Sequence, residues 1–324
     1  MILDIVAILG GLVLLFVGGD FLVRGSVNLA TRMGVSPLFV GLVLVGFGTS
    51  APELFASIEA VRVGAPAIAW GNVVGSNIAN VLLVLGAAAA VAAFPIERGP
   101  LWRDGGFGLV AAIILFAFAF SGAPAIMGWI LLGILSVYLV YAWRSERTHA
   151  HSTGAGDRAA AGEMVHVDIP DARPKSLFAD IGFTVGGLLL IIFGGNILVA
   201  GARDVALILG LSDALVGLTI VAIGTSAPEL ATSVVAARKG EGGIAFGNVL
   251  GSNIYNILGI GGVTALLAPG SLPASMVPVE LPLLIAASIL MIVFARTGHK
   301  FSRWEGFAML SLYVGYLVWA VLNA

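Results

Sequence analysis

The sequence predicts an all-α polytopic membrane protein, with ten transmembrane helices arranged as two inverted five-helix repeats. Three observations carry this: an apolar composition, an alternation of basic and non-basic loops, and an internal repeat at one fixed offset. Of the 324 residues, 59% are hydrophobic and 10% are charged, with mean hydropathy +1.05. A soluble domain carries about 25% charged residues, so the polar surface of a globular enzyme is missing. Ten crossings of about 20 residues each occupy roughly 200 positions, which leaves short loops.

Apolar runs bounded by Gly, Pro and charge place the spans at 5–23, 35–61, 67–93, 105–120, 126–141, 177–199, 211–237, 244–267, 279–294 and 304–322. The first begins in MILDIVAILGG, whose Asp4 and lack of a basic leader read as a span and not a cleaved signal. The only long polar stretch is centred on 146–176. Too poor in large apolar residues to build a core, it reads as a linker between a first half at 1–145 and a second at 177–324. Every Lys and Arg except Arg62 and Arg203 falls in an odd-numbered loop. Cytoplasmic loops collect basic residues, so both termini are expected outside, the linker inside, and the chain in the plasma membrane.

With no cysteine, thiolate chemistry and soft-metal thiolate sites are excluded. His149, His151, His166 and His299 all lie in polar stretches, which argues against an imidazole centre inside the bilayer. A net charge of −2 offers no footing for nucleic acid. No membrane-embedded Ser has a His or Lys base beside it in the spans, so an intramembrane hydrolase is disfavoured and the chain reads as a non-enzyme without cofactor.

The repeat is direct. GFGTSAPEL at 46–54 returns as AIGTSAPEL at 222–230, and WGNVVGSNIAN at 70–80 returns as FGNVLGSNIYN at 246–256, both offset by 176 without a gap. Glu53 and Glu229 fall in spans two and seven. Five crossings separate them, and an odd number turns the second copy upside down. Inverted repeats place substrate near the midplane, on interrupted helices where the halves meet.

Each motif assembles oxygen ligands on a broken helix. Pro52 and Pro228 cannot donate to the preceding turn, so carbonyls are freed; in hydrocarbon these are tolerated only where they line a cavity or meet an ion. Thr49, Ser50 and Glu53 lie within one turn and converge on one face, as do Thr225, Ser226 and Glu229. Asn72, Ser76 and Asn80 form a polar stripe at i, i+4, i+8 on the next span, with Asn77 beside it; Asn248, Ser252 and Asn256 repeat it. A single Ser, Thr or Asn in a membrane helix usually serves packing, but duplication in register with an intramembrane Glu reverses that reading. Glu59, whose counterpart is Val235, reads as a rim residue, and Asp20, opposite Asn196, as a helix-end residue.

A carboxylate at the bilayer centre costs at least about 2.5–3.5 kcal/mol. No basic residue lies inside any drawn span, so protonation or a bound cation must compensate. An all-oxygen shell suits hard cations such as Ca²⁺ and Na⁺.

GTSAPEL followed by GNVVGSNIAN, twice and inverted, resembles the α-repeats of the cation/calcium exchanger superfamily, and the ten-span layout resembles its prokaryotic sodium/calcium exchangers. The resemblance implies antiport of Na⁺ against Ca²⁺ by alternating access, with these ions and the lipid bilayer as the only partners and a monomer as the working unit. By position it also implies ligands at Thr49, Ser50, Glu53, Ser76, Asn80, Thr225, Ser226, Glu229 and Ser252, with the carbonyls of Gly46 and Ala222. Asn256 also faces the expected site, but some members have aspartate there, so the amide lowers the maximum site charge from −3 to −2 and puts potassium dependence in doubt. A Ca²⁺/H⁺ or K⁺-linked antiporter on the same fold is the nearest alternative.

Overall fold

The computed structural model describes residues 2–96, 101–121, 123–152, 176–208 and 226–322. Nearly all of them are helical. In chain order the helices are α1 (Ile2–Met33), α2 (Pro37–Arg62), α3 (Pro66–Val91), α4 (Leu101–Ala119), α5 (Ala125–Ser152), α6 (Leu177–Ile208), α7 (Ala227–Arg238), α8 (Gly242–Leu267), α9 (Glu280–Arg296) and α10 (Arg303–Leu322). Among the described residues seven helices are long and apolar enough to cross a membrane. The expected span 211–237 is described only from residue 226.

Local sequence sets the helix ends. Gly34 (φ +64°) closes α1, and Ser36 then caps α2 by accepting from Phe39 N at 3.1 Å, with Pro37 at the first helical position. Gly64 (φ +80°) and Gly240 (φ +79°), which are repeat-related, make the equivalent turns after α2 and α7.

Helices α3 and α8 are the most buried, α2 follows, and α1, α4, α5 and α6 lie at the periphery. A short antiparallel pair, β1 (Phe94–Pro95) with β2 (Lys300–Phe301), joins the α3–α4 and α9–α10 connections. Phe94 and Phe246 each pack within 6 Å of Phe301, which seals this clasp.

The two longest helices pair with each other. A Cβ on Gly11 would meet Gly194 O at 2.7 Å, and one on Gly18 would meet Gly187 O at 2.8 Å. Gly25 faces the Asp180 carbonyl, and Gly201 faces that of Asp4. One partner's number falls as the other's rises, so α1 and α6 run antiparallel. Glycine every seventh residue on each lets the backbones touch.

Three expectations are corrected. Helix α1 runs to Met33, not 23, so Arg24 and Arg32 are helical and not in a loop. No Pro falls in 20–33, and its single Gly, Gly25, stays helical against the Thr184 and Asp180 backbone; acidic partners accept both arginines: Arg24 Nε lies 2.8 Å from Asp20 Oδ2, and Arg32 pairs with the wholly buried Asp180, which also accepts from Asn28 at 2.8 Å. Asp20 is accordingly mid-helix and not terminal. Helix α4 starts at Leu101, four residues early, because Asp104 is buried in a network with Arg103 (2.8 Å) and Tyr138 Oη (2.8 Å). Helix α5 continues to Ser152, into the stretch expected to be linker; positions 153–175 of that linker lie outside the described residues.

Candidate ion-binding site

The two Glu-bearing helical segments start at equivalent points. Within α2 a helical piece ends at Thr49, Ser50 takes φ −84°, ψ 3°, and helix resumes at Ala51 with Pro52 in its first turn. Ser226 has φ −87°, ψ 6° and precedes α7, with Pro228 in the same position. Proline cannot continue a preceding ladder but starts a new helix well, so each carboxylate projects from the first turn of its helical segment.

The stripes on α3 and α8 sort into two tasks. Asn72 Nδ2 donates to Glu53 O (3.0 Å) and to Ser57 Oγ (2.9 Å); Asn248 Nδ2 donates to Glu229 O (3.3 Å) and to Ser233 Oγ (2.9 Å). These are one arrangement made twice, and it fixes each Glu turn to the neighbouring helix. Asn72 Oδ1 accepts from Ser76 within its own half (3.2 Å), whereas Asn248 Oδ1 lies 3.0 Å from Thr49 Oγ1 of the other half.

Further contacts cross between halves. Ser50 Oγ donates to Glu229 Oε1 (3.3 Å), Ser252 Oγ to Gly46 O (3.2 Å), and Asn80 Nδ2 to Asn253 Oδ1 (3.1 Å). The Ser252–Gly46 contact requires a bare α-carbon, since a Cβ on Gly46 would sit 2.8 Å from Ser252 N. Glu53 and Glu229 lie within reach of each other's charge.

Of the expected site residues, the structure brings together Gly46, Thr49, Ser50, Ser252 and Glu229 by direct contact. Glu53 is buried and held through its carbonyl by Asn72, whose Oδ1 accepts from Ser76, and Asn80 bonds to Asn253 of the other half. Ser226 and Asn256 are fully buried; Thr225 and Ala222 lie outside the described residues.

Several of these side chains are buried yet unpartnered: both oxygens of Glu53, Oε2 of Glu229, Oδ1 of Asn80, Oγ of Ser226 and both amide atoms of Asn256. Buried polar atoms nearly always have partners, and an unpaired carboxylate is among the costliest exceptions. Among the described residues no cluster of three or more His, Cys, Asp or Glu forms. The donor set is therefore two carboxylates with neutral oxygens, suited to a hard cation and not to a transition metal.

Sequence reasoning missed Ser57, Ser233 and Asn253. Ser57 and Ser233 are identical at offset 176, four residues after each Glu, and extending the repeat comparison by one turn would have found them. Glu59 is at the rim as expected, exposed and paired with Arg62 at 2.9 Å.

The model of the sodium/calcium exchanger protein family matches residues 3–145 and again 180–322. The sodium/calcium exchanger MaX1 of Methanosarcina acetivorans is 34% identical, over 95% of each chain. Two structures of the sodium-calcium exchanger NCX_Mj superpose over nearly the whole chain. One, soaked with 10 mM Na⁺ and 10 mM Sr²⁺, has TM-score 0.83 and 32% identity, covering 98% of each chain; the other, soaked with zero Na⁺ and Ca²⁺, has TM-score 0.81 and 31% identity, covering 97% of each. The chain is an integral, multi-span membrane protein and belongs to the sodium/calcium exchanger family.

Proposed function

We propose that this protein is a secondary active antiporter exchanging Na⁺ for Ca²⁺ by alternating access at a midplane oxygen site. The observation that carries this is the pair of buried carboxylates, Glu53 and Glu229, one from each half, with three of their four oxygens unpartnered and no basic residue bonded to them. Ten spans in two inverted repeats, 1–145 and 177–324 about the linker 146–176, account for the twofold family match and for the duplicated Asn–Glu–Ser contacts. Both termini are placed outside the cell, and the monomer contains a whole site.

One Ca²⁺ neutralises Glu53 and Glu229 with oxygens from Thr49, Ser50, Ser76, Asn80, Thr225, Ser226, Ser252 and Asn256 and the carbonyls of Gly46 and Ala222 around it. Na⁺ has half the charge, so at least two ions replace one Ca²⁺. Occupancy by one species excludes the other, and that exclusion couples the fluxes. Exchange of three Na⁺ for one Ca²⁺ moves one net charge, which is worth about 2.3 kcal/mol per 100 mV.

In proteoliposomes, Glu53→Gln and Glu229→Gln should each abolish Na⁺-gradient-driven ⁴⁵Ca²⁺ uptake; full transport by either variant refutes the assignment. The same unpaired carboxylates could carry protons, which is the basis of the Ca²⁺/H⁺ alternative. Uptake driven by a pH gradient without Na⁺ would select that alternative.

A further inference from the structure

The two halves match in sequence but are not packed alike. Helix α1 lies against the end of α7: a Cβ on Gly19 would meet Val235 Cγ2 at 3.0 Å, and Ala231, Val235 and Ala236 are buried. Lys239, just past α7, pairs with the Asp20 carboxylate and donates to the Asp20 carbonyl at 3.2 Å. Arg24 flanks Asp20 from one turn on.

The offset of 176 takes Gly19, Asp20, Ala231, Val235 and Lys239 to Gly195, Asn196, Phe55, Glu59 and Val63. There the cover is gone. Phe55 is 71% exposed and Val63 65%, and Asn196 is exposed on α6. Gly195 instead approaches Pro228 of α7, at 3.8 Å. The antiparallel α1–α6 pair is therefore displaced toward one half of the molecule. In a protein built from inverted repeats, exchanging the roles of the halves yields a second arrangement, in which α6 covers α2 and α1 uncovers α7.

We propose that Asp20 and Lys239 form a one-sided ionic latch that holds the α1–α6 pair in this arrangement against its counterpart. In the counterpart, Asn196 and Val63 come together, and neither carries charge. The sequence thus breaks the symmetry that the repeat would otherwise impose on the two states. The latch rests on the alternating-access reading given above. It adds a residue pair, outside the ion site, that sets how often each state is visited.

The chain has no cysteine, so a single introduced pair reports cleanly. Full-length protein carrying Asn196→Cys and Val63→Cys in proteoliposomes is treated with a short bis-maleimide, and the cross-linking rate measures visits to the counterpart state. Asp20→Asn and Lys239→Val, each borrowing the other half's residue, should raise that rate about two- to fivefold, the range for a partly exposed ion pair. Lys239→Arg, which keeps the charge, should leave it at the parent rate. Equal rates in the parent and all three variants overturn the latch and leave alternating access standing. A rise in Lys239→Arg equal to that in Lys239→Val also overturns it, since packing and not charge would then be responsible. No cross-link in any variant overturns both the latch and alternating access. ⁴⁵Ca²⁺ uptake by the same vesicles verifies that each variant is folded.

Discussion

At Asn72 and Asn248 one side chain does work that sequence alone assigns to another. Both stand in a polar stripe that reads as a row of ion-facing groups, yet both direct Nδ2 at a Glu carbonyl and a Ser hydroxyl. They tie the Glu53 and Glu229 turns to the neighbouring helix through the backbone carbonyls. Replacing Asn72 or Asn248 with Ala removes three hydrogen bonds, two donated by Nδ2 and one accepted by Oδ1, each worth about 0.5–1.5 kcal/mol. Ca²⁺ affinity, read from the concentration dependence of ⁴⁵Ca²⁺ uptake, should weaken by roughly tenfold or more, whereas Ser57→Ala removes one bond and should cost less. Asp180 illustrates what periodicity leaves dark. It is an acid at the start of an apolar run, and only the fold shows that Asn28 and Arg32, some 150 positions away, close around it. Asp180→Ala should lower thermal stability in detergent by about 1.5–3 kcal/mol, the usual value for bonds to a charged group.

Among the elements, the broken helices were legible and the peripheral ones less so. The Pro52 motif announces its break because proline acts on its own helix, within four residues, and Pro228 stands likewise in the first turn of α7. The ends of α1, α4 and α5 were drawn short because Arg24, Arg32, Arg103 and Arg144 look like loop residues until their partners are known. Asp20, Asp180 and Asp104 accept from three of them across or along the helices, and no local pattern encodes that. The crossing of α2 over α8 depends on Gly46 and Gly251. Gly251→Ala would drive a methyl into the Leu42 backbone, and relief requires the helices to separate. Since the Ser252–Gly46 bond and the Thr49–Asn248 contact both span that crossing, the variant should lose Na⁺-driven Ca²⁺ uptake as well as stability. Thermal denaturation and flux measured on the same preparation check this.

For the whole molecule, the repeat at offset 176 relates the two halves, which the family model matches in turn at 3–145 and 180–322, and relates Glu53 to Glu229, because a duplication is visible without any structure. Which oxygens of one half bond to which of the other was not visible. The offset relates Thr49 to Thr225 and Asn72 to Asn248, but the contact that forms is Thr49 with Asn248. The charge balance also belongs to this scale. With two site carboxylates and an amide at Asn256, the loaded protein carries whatever positive charge the Na⁺ ions bring beyond two. Uptake driven by a Na⁺ gradient should therefore accelerate with an inside-negative or inside-positive potential, according to direction, if three ions bind, and ignore the potential if two do. Valinomycin-clamped vesicles distinguish these cases. Asn256→Asp, adding a third carboxylate, should change that voltage response.

Helices α3 and α8 each widen into a π-helical stretch, at Asn80–Leu85 and Tyr255–Ile260. A π turn arises when one extra residue is accommodated in a helix without unwinding it. The two stretches begin within one position of each other once 176 is subtracted, and no gap is needed to align the motifs that lead into them. The widened turns therefore follow the repeat, and each begins at, or one residue before, the asparagine that ends its polar stripe, Asn80 or Asn256.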